Sequence, residues 1–233
     1  MNIGLRFFGS SLGRKYIMAI SGVVLFAFVV AHLIGNLQIF LGPDQINAYG
    51  HFLQSQPEIL WLARTGLLAM VLLHIWAAVK LSIENRRART IPYEQNQLVA
   101  ASYASRTMLM SGLIIAAFIV YHLLHFTVLA KAINLTGHDF AALHDAKGRH
   151  DVYRMMVLGF QQPIVSIFYV IAMGLLSLHL SHGAGAMFQS LGLKNRVFGP
   201  VIDRAARLAA WLIFFGYISI PLAVLLGLVK TQP

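Results

Sequence analysis

The sequence predicts an all-α integral membrane protein with five transmembrane helices, the first four of which form a bundle around buried histidines. Three observations carry that reading. Of 233 residues, 58% are hydrophobic and only 11% charged, with a mean hydropathy of +0.70. Five runs reach the roughly 20 apolar residues that a helix needs to cross a bilayer. Four of those runs carry a histidine in a stretch nearly free of other charge.

Span one is expected over 16–41. A basic start (Arg6, Arg14, Lys15) precedes it without a small-residue cleavage site, so it reads as an uncleaved first helix. An outer loop, 42–58, contains Gly42-Pro43 and Gln56-Pro57. Span two, 59–83, has Arg64 close enough to one end to snorkel. The inner loop 84–105 holds Arg86, Arg87 and Arg89, then Ile91-Pro92, which breaks any helix there. Span three, 106–131, leads into the longest connection, 132–160, with Asn134, Gly137 and Gly148. Span four, 161–190, opens near Pro163, harmless in a first turn. Gly192 and Gly199-Pro200 precede span five, 206–230. Residues 1–233 read as a single transmembrane domain.

Charge sets an expected orientation. With the N-terminus cytoplasmic, the inner side holds Arg6, Arg14, Lys15, Lys80, Arg86, Arg87, Arg89, Arg106, Lys194, Arg196, Arg204 and Arg207. The outer side holds only Arg64, Lys131, Lys147, Arg149, Arg154 and Lys230. That asymmetry follows the positive-inside rule and places a multi-pass protein in the cytoplasmic (inner) membrane. The net charge of +10 attracts anionic lipid and suits a cytoplasmic partner. Nucleic-acid binding is not expected, because the basic residues cluster at helix ends without a basic, aromatic-interleaved face.

The absence of cysteine excludes disulfides, thiolate ligation and covalent haem attachment. Aromatic residues such as Tyr16, Trp61, Trp76, Tyr169 and Trp211 sit near span ends and read as interfacial anchors.

The histidines carry the chemistry. Ser21-Gly22 precedes His32, and Ser111-Gly112 precedes His122, so each histidine follows a glycine by ten residues. Imidazole in hydrocarbon is costly, and a repeated one suggests two helices reaching for one object. His32 lies about 16 residues, roughly 24 Å, along span one, and His122 is similarly far along span three. His74 and His179 lie about 15 and 18 residues along spans that run the other way. Counting therefore yields an outer pair, His32/His122, and an inner pair, His74/His179, separated by about 10–15 Å.

Two imidazoles per level suit two haem b groups, whose irons take axial nitrogens from opposite sides. Zinc and di-iron sites are disfavoured because the spans lack the carboxylates or thiolates they need. Ala78 and Gly183, four residues after His74 and His179, offer small faces for a flat macrocycle or for ordinary helix packing. His125 and His182 each follow a proposed ligand by three residues, which permits a swap. His122 is preferred because it completes the repeat, leaving His125 as a propionate, quinone or interhelical hydrogen-bond partner. His138-Asp139, His144-Asp145 and His150-Asp151 recur every six residues, which on a helix do not share a face, and read as a solvated loop. Asn134-Leu135-Thr136 fits a glycosylation pattern of little weight.

With these residues placed, the chain resembles the di-haem cytochrome b membrane-anchor subunit of succinate dehydrogenase and fumarate reductase, the succinate:quinone oxidoreductases. The resemblance spans essentially the full length. It rests on Gly22 with His32, Gly112 with His122, and His179 followed by Gly183 and Gly192 at four and thirteen residues. The segments Leu73–Ala78 and Ala48–Leu53 add to it. It implies that His32 and His122 bind the haem distal to the catalytic subunits, and His74 and His179 the proximal one. On the same ground His179 is preferred to His182. It further implies a flavoprotein and an iron–sulfur protein docked on the cytoplasmic side, and a low-potential quinone, usually menaquinone. Ser177 stands where some fumarate reductases carry a glutamate tied to a proton route, and the 132–160 connection is long for the family.

The expected role is electron transfer by a non-catalytic or quinone-reacting subunit. Arg14, Lys15 and Arg106 are candidates to neutralise haem propionates, and His51, Gln54 and Glu58 to exchange quinone protons. Two alternatives stand beside it. One is the cytochrome b of a hydrogenase, formate dehydrogenase or nitrate reductase. The other is a transporter whose histidines relay protons or bind a metal.

Overall fold

A computed structural model describes residues 9–88 and 103–231; side chains are described from Thr107 onward in the second stretch. Arg6, Arg89, Ile91 and Pro92 lie outside the described residues. Among the described residues the chain is helical and lacks β-strands, apart from an isolated bridge between His144 and His150. Seven α-helices have both ends among the described residues, in order: α1 (Ser11–Leu37), α2 (Pro43–Gln54), α3 (Pro57–Arg87), α4 (Tyr103–Phe126), α5 (Val152–Phe160), α6 (Pro163–Ser190) and α7 (Gly199–Leu225). Five of them, α1, α3, α4, α6 and α7, are long and apolar enough to cross a membrane, so the protein is multi-pass.

The boundaries follow local chemistry. The Ser10 hydroxyl accepts from the Gly13 N–H and starts α1 before the apolar run begins. Prolines open α2, α3, α6 and α7 within their first two positions, where a missing N–H costs nothing. α4 stops at Phe126, five residues short of the expected end of span three. The Leu123 carbonyl accepts from Val128, the Leu124 carbonyl from Ala130, and Leu129 takes φ of +60°.

Four of the helices form a ring that is open on one side. α1 packs on α3 and α6, α4 packs on α6, and α3 meets α4 only slightly, which leaves that side open. The diagonal partners are thus α1 with α4 and α3 with α6. α7 lies outside the ring, packed extensively on α6 and also on α1. Small buried residues (Gly13, Ala19, Ser21, Gly35) line the inward face of α1 and let neighbours approach. Leucines and aromatics such as Leu62, Leu72, Trp61, Ile171 and Trp211 stay exposed, as a lipid-facing surface requires.

One end of the ring is capped. Ile39, Ile46, Tyr153, Met156, Val157 and Phe160 join Phe118, Val165, Tyr169, Val224 and Val229 in a single core. Asn47, 1% exposed, is the polar pin: it donates to Asp151 at 3.0 Å and accepts from the Tyr153 N–H at 2.9 Å. Arg149 bridges Asp44 and Asp145 at 2.6 and 2.7 Å. The connection read as a solvated loop is therefore an ordered cap containing α5, because its apolar residues find a core against α2, α6 and α7. Asn134 is fully buried and bonded to His138 and Thr136, so it is no glycosylation acceptor in the folded chain.

Candidate functional site

The ring brings the expected histidines together. His32 on α1 and His122 on α4 have ring centres 5.7 Å apart. His74 on α3 and His179 on α6 have theirs 6.4 Å apart. Each pair joins a diagonal of the ring, between helices with little or no backbone contact. Gly22 lies against the His74 ring, and His32 follows it by ten residues on the same helix, so the levels are about 15 Å apart. His32/His122 form the cap-side level and His74/His179 the base-side level.

The repeat has a second role, which sequence reasoning missed. Its glycines do not serve the histidines that follow them. A Cβ on Gly22 would stand 3.5 Å from His74 Cε1, and one on Gly112 3.3 Å from His179 Cε1. Beside them, Ser21 Oγ lies 3.1 Å from His74 Nδ1, and Ser111 Oγ 3.4 Å from His179 Nδ1. Each half of the repeat thus clears and orients a base-side imidazole, then supplies a cap-side imidazole three turns on. The signal was present as the shared Ser-Gly, but only the crossing of helices reveals which histidine it serves.

Hydrogen-bond inventory favours one tautomer at the base side. Ser21 spends its one proton on the Ile17 carbonyl at 2.7 Å, so its oxygen accepts from His74 Nδ1–H. Ser111 likewise donates to Met108 at 3.1 Å and accepts from His179. Both base-side rings therefore carry their lone pair on Nε2, the ligating form of neutral imidazole.

At the cap side, Tyr169 of α6 places its hydroxyl 3.2 Å from His122 Nδ1 and 3.1 Å from His125 Nδ1. Tyr169 is 6% exposed, so it is a core residue and not the interfacial anchor its position near a span end suggested. The short α5 and the cap bury it. His32 stacks on Phe28 and lies beside Tyr217 of α7, whose hydroxyl donates to the Val29 carbonyl at 2.8 Å.

The remaining expected residues are less concentrated. His125 is fully buried and is an interhelical partner of Tyr169. His182 is within electrostatic reach of the Lys194–Asp203 ion pair. Arg14 pairs with Glu84 of α3 at 2.5 Å. Lys15 lines a base-end recess of about 440 Å³ with Asn85, Gln189 and Ser190, the last three about three turns beyond the base-side histidines of their own helices. Arg106 lies on the first turn of α4, outside the described side chains. His51 and Gln54 are exposed on α2, and Glu58, also exposed, lines a small recess at the start of α3. Ser177 donates to the Ala210 carbonyl and joins α6 to α7.

Among the described residues no three metal-ligating side chains converge. Two imidazoles per level are too few for zinc or a di-iron pair. They suffice for an ion whose other ligands come from a macrocycle. With metal–nitrogen bonds of about 2 Å, imidazoles bound on opposite sides of one ion have centres about 6 Å apart, near both observed separations. Each pair therefore has about the separation that one ion held between two imidazoles requires. Comparison with protein-family models, curated proteins and solved structures gives no match.

Proposed function

We propose that this chain is a di-haem cytochrome b, the membrane anchor of a succinate:quinone oxidoreductase. In this reading it passes electrons between a cytoplasmic flavoprotein and iron–sulfur pair and membrane quinone, with menaquinone as the favoured partner. The observation that carries it is the pairing of imidazoles across both diagonals of the ring, at two levels, with a spacing suited to an axial pair. Haem, when bound, supplies a one-electron iron couple at each level.

The chain's own residues do the rest. His74 and His179 offer Nε2 lone pairs because Ser21 and Ser111 hold their Nδ1 protons. Gly22 and Gly112 keep the space beside those rings clear. Lys15, Asn85 and Gln189 place a cation and amides in the recess below, where carboxylate tails are best neutralised. His51, Gln54 and Glu58, exposed at the cap end, are the candidates for exchanging protons with quinone. The excess of Lys and Arg at the base end supports a cytoplasmic N-terminus in the cell membrane.

Purification from native membranes tests the reading. Two haem b per chain by pyridine haemochrome, with a flavin-bearing partner and a cysteine-rich one, is the expected result. A partner set bearing nickel or molybdenum points to another quinone-linked cytochrome b. A preparation with no Soret band sinks the haem reading and favours a histidine-dependent transporter.

A further inference from the structure

We propose that Tyr169 is the positioning residue of the cap-side centre, and that His125 gives it that role by taking its proton; this rests on the haem reading above. His122, bound through Nε2, must carry its proton on Nδ1, 3.2 Å from the Tyr169 oxygen. A phenol oxygen accepting there must send its own proton elsewhere. His125 Nδ1, at 3.1 Å, is its other partner among the described residues. Were His125 also protonated on Nδ1, two donors would face one oxygen and the phenol O–H would be the group left over; with His125 accepting, the group left over is its Nε2–H. The proposed chain runs from His122 Nδ1–H to Tyr169 to the lone pair of His125 Nδ1, which uses the phenol proton inside the triad.

That assigns the His125 proton to Nε2, which is buried without a hydrogen-bond partner. Only a residue without a side chain fits beside it at 159, since an added Cβ would lie 3.2 Å from Nε2, and the Phe126 ring stacks on the imidazole at 3.9 Å. His125 serves as the fixed acceptor at the end of the chain. Its hold makes Tyr169 an acceptor, which would raise the basicity of His122 and, with iron bound there, would favour the oxidised state. The base-side rings rest on serine hydroxyls instead, so this control belongs to one level alone.

The test uses the full chain in its native complex with Tyr169→Phe, which keeps the ring and removes the hydroxyl. Redox titration of the two haems should show one midpoint rising, by about 59 mV for a tenfold change in a one-electron couple, with the other unmoved. In the wild type, 15N-histidine spectra should show His125 protonated on Nε2. Two haems whose midpoints stay put or move together, or His125 protonated on Nδ1, overturns the role of Tyr169 while leaving the haem reading intact. Wild-type complex without haem overturns both.

Discussion

Ser21 and His74 meet across the α1–α3 contact, hydroxyl oxygen to Nδ1 at 3.1 Å, and the serine's own proton is committed to its helix. That leaves the serine oxygen to accept from the imidazole, which favours one ring orientation and one tautomer. Ser21→Ala should weaken haem retention at the base side by about 10–100-fold, the usual effect of removing an orienting partner. Haem-to-protein ratios after transfer to a competing apo-haem acceptor measure this. Full retention in both Ser21→Ala and Ser111→Ala would show that the serines orient nothing.

His74→Ala or His179→Ala should remove one low-spin haem and leave the other. His32→Ala or His122→Ala should remove the complementary one. Low-temperature spectra separate the two signals. Two intact haems in any of these four variants would defeat the pairing.

Asn47→Ala should destabilise the cap by about 1–3 kcal/mol, since it strands the buried Tyr153 N–H and removes a donor from Asp151. The loss should appear as a lower melting temperature and faster amide exchange in 143–157. Unchanged exchange there would mean that the cap is held by its apolar contacts alone.

The cap should also loosen in acid. Burial alone would raise the Asp145 carboxyl, but the Arg149 side chain and the Arg149 and Lys147 backbone N–H groups bring it down to about 2. A carboxyl held below its unfolded value of about 3.9 stabilises the fold above that pH and loses its contribution as pH falls toward 2. Exchange in 143–154 should therefore rise between pH 4 and pH 2. Asp145→Asn should flatten that rise, and an equal rise in the variant would assign it to other groups.

The five spanning helices were legible because hydropathy alone demands them, and end errors came from signals weaker than hydropathy. The Ser10 cap begins α1 five residues before the expected start, and the turn at Leu129 ends α4 although Thr127–Ala130 remain largely apolar. The cap stayed hidden because its polar network joins Asp44 and Asn47 to residues about a hundred positions away, beyond any local pattern. At the candidate site, counting along helices put the four histidines at two depths, since depth follows from rise per residue. What surrounds each ring depends on which helices cross where. Ser21, Ser111 and Tyr169 therefore showed only as a repeat and an aromatic near a span end.

The Tyr217 hydroxyl on the Val29 carbonyl, with Gly216 pressed on Leu33, ties α7 to the turn that presents His32. A miniature scaffold cut down to the four ring helices would keep every imidazole and still lack that buttress. It would also expose to lipid the face of α6 that α7 covers. Engineers seeking the smallest working version should retain the last helix as part of the instrument, not trim it as packaging.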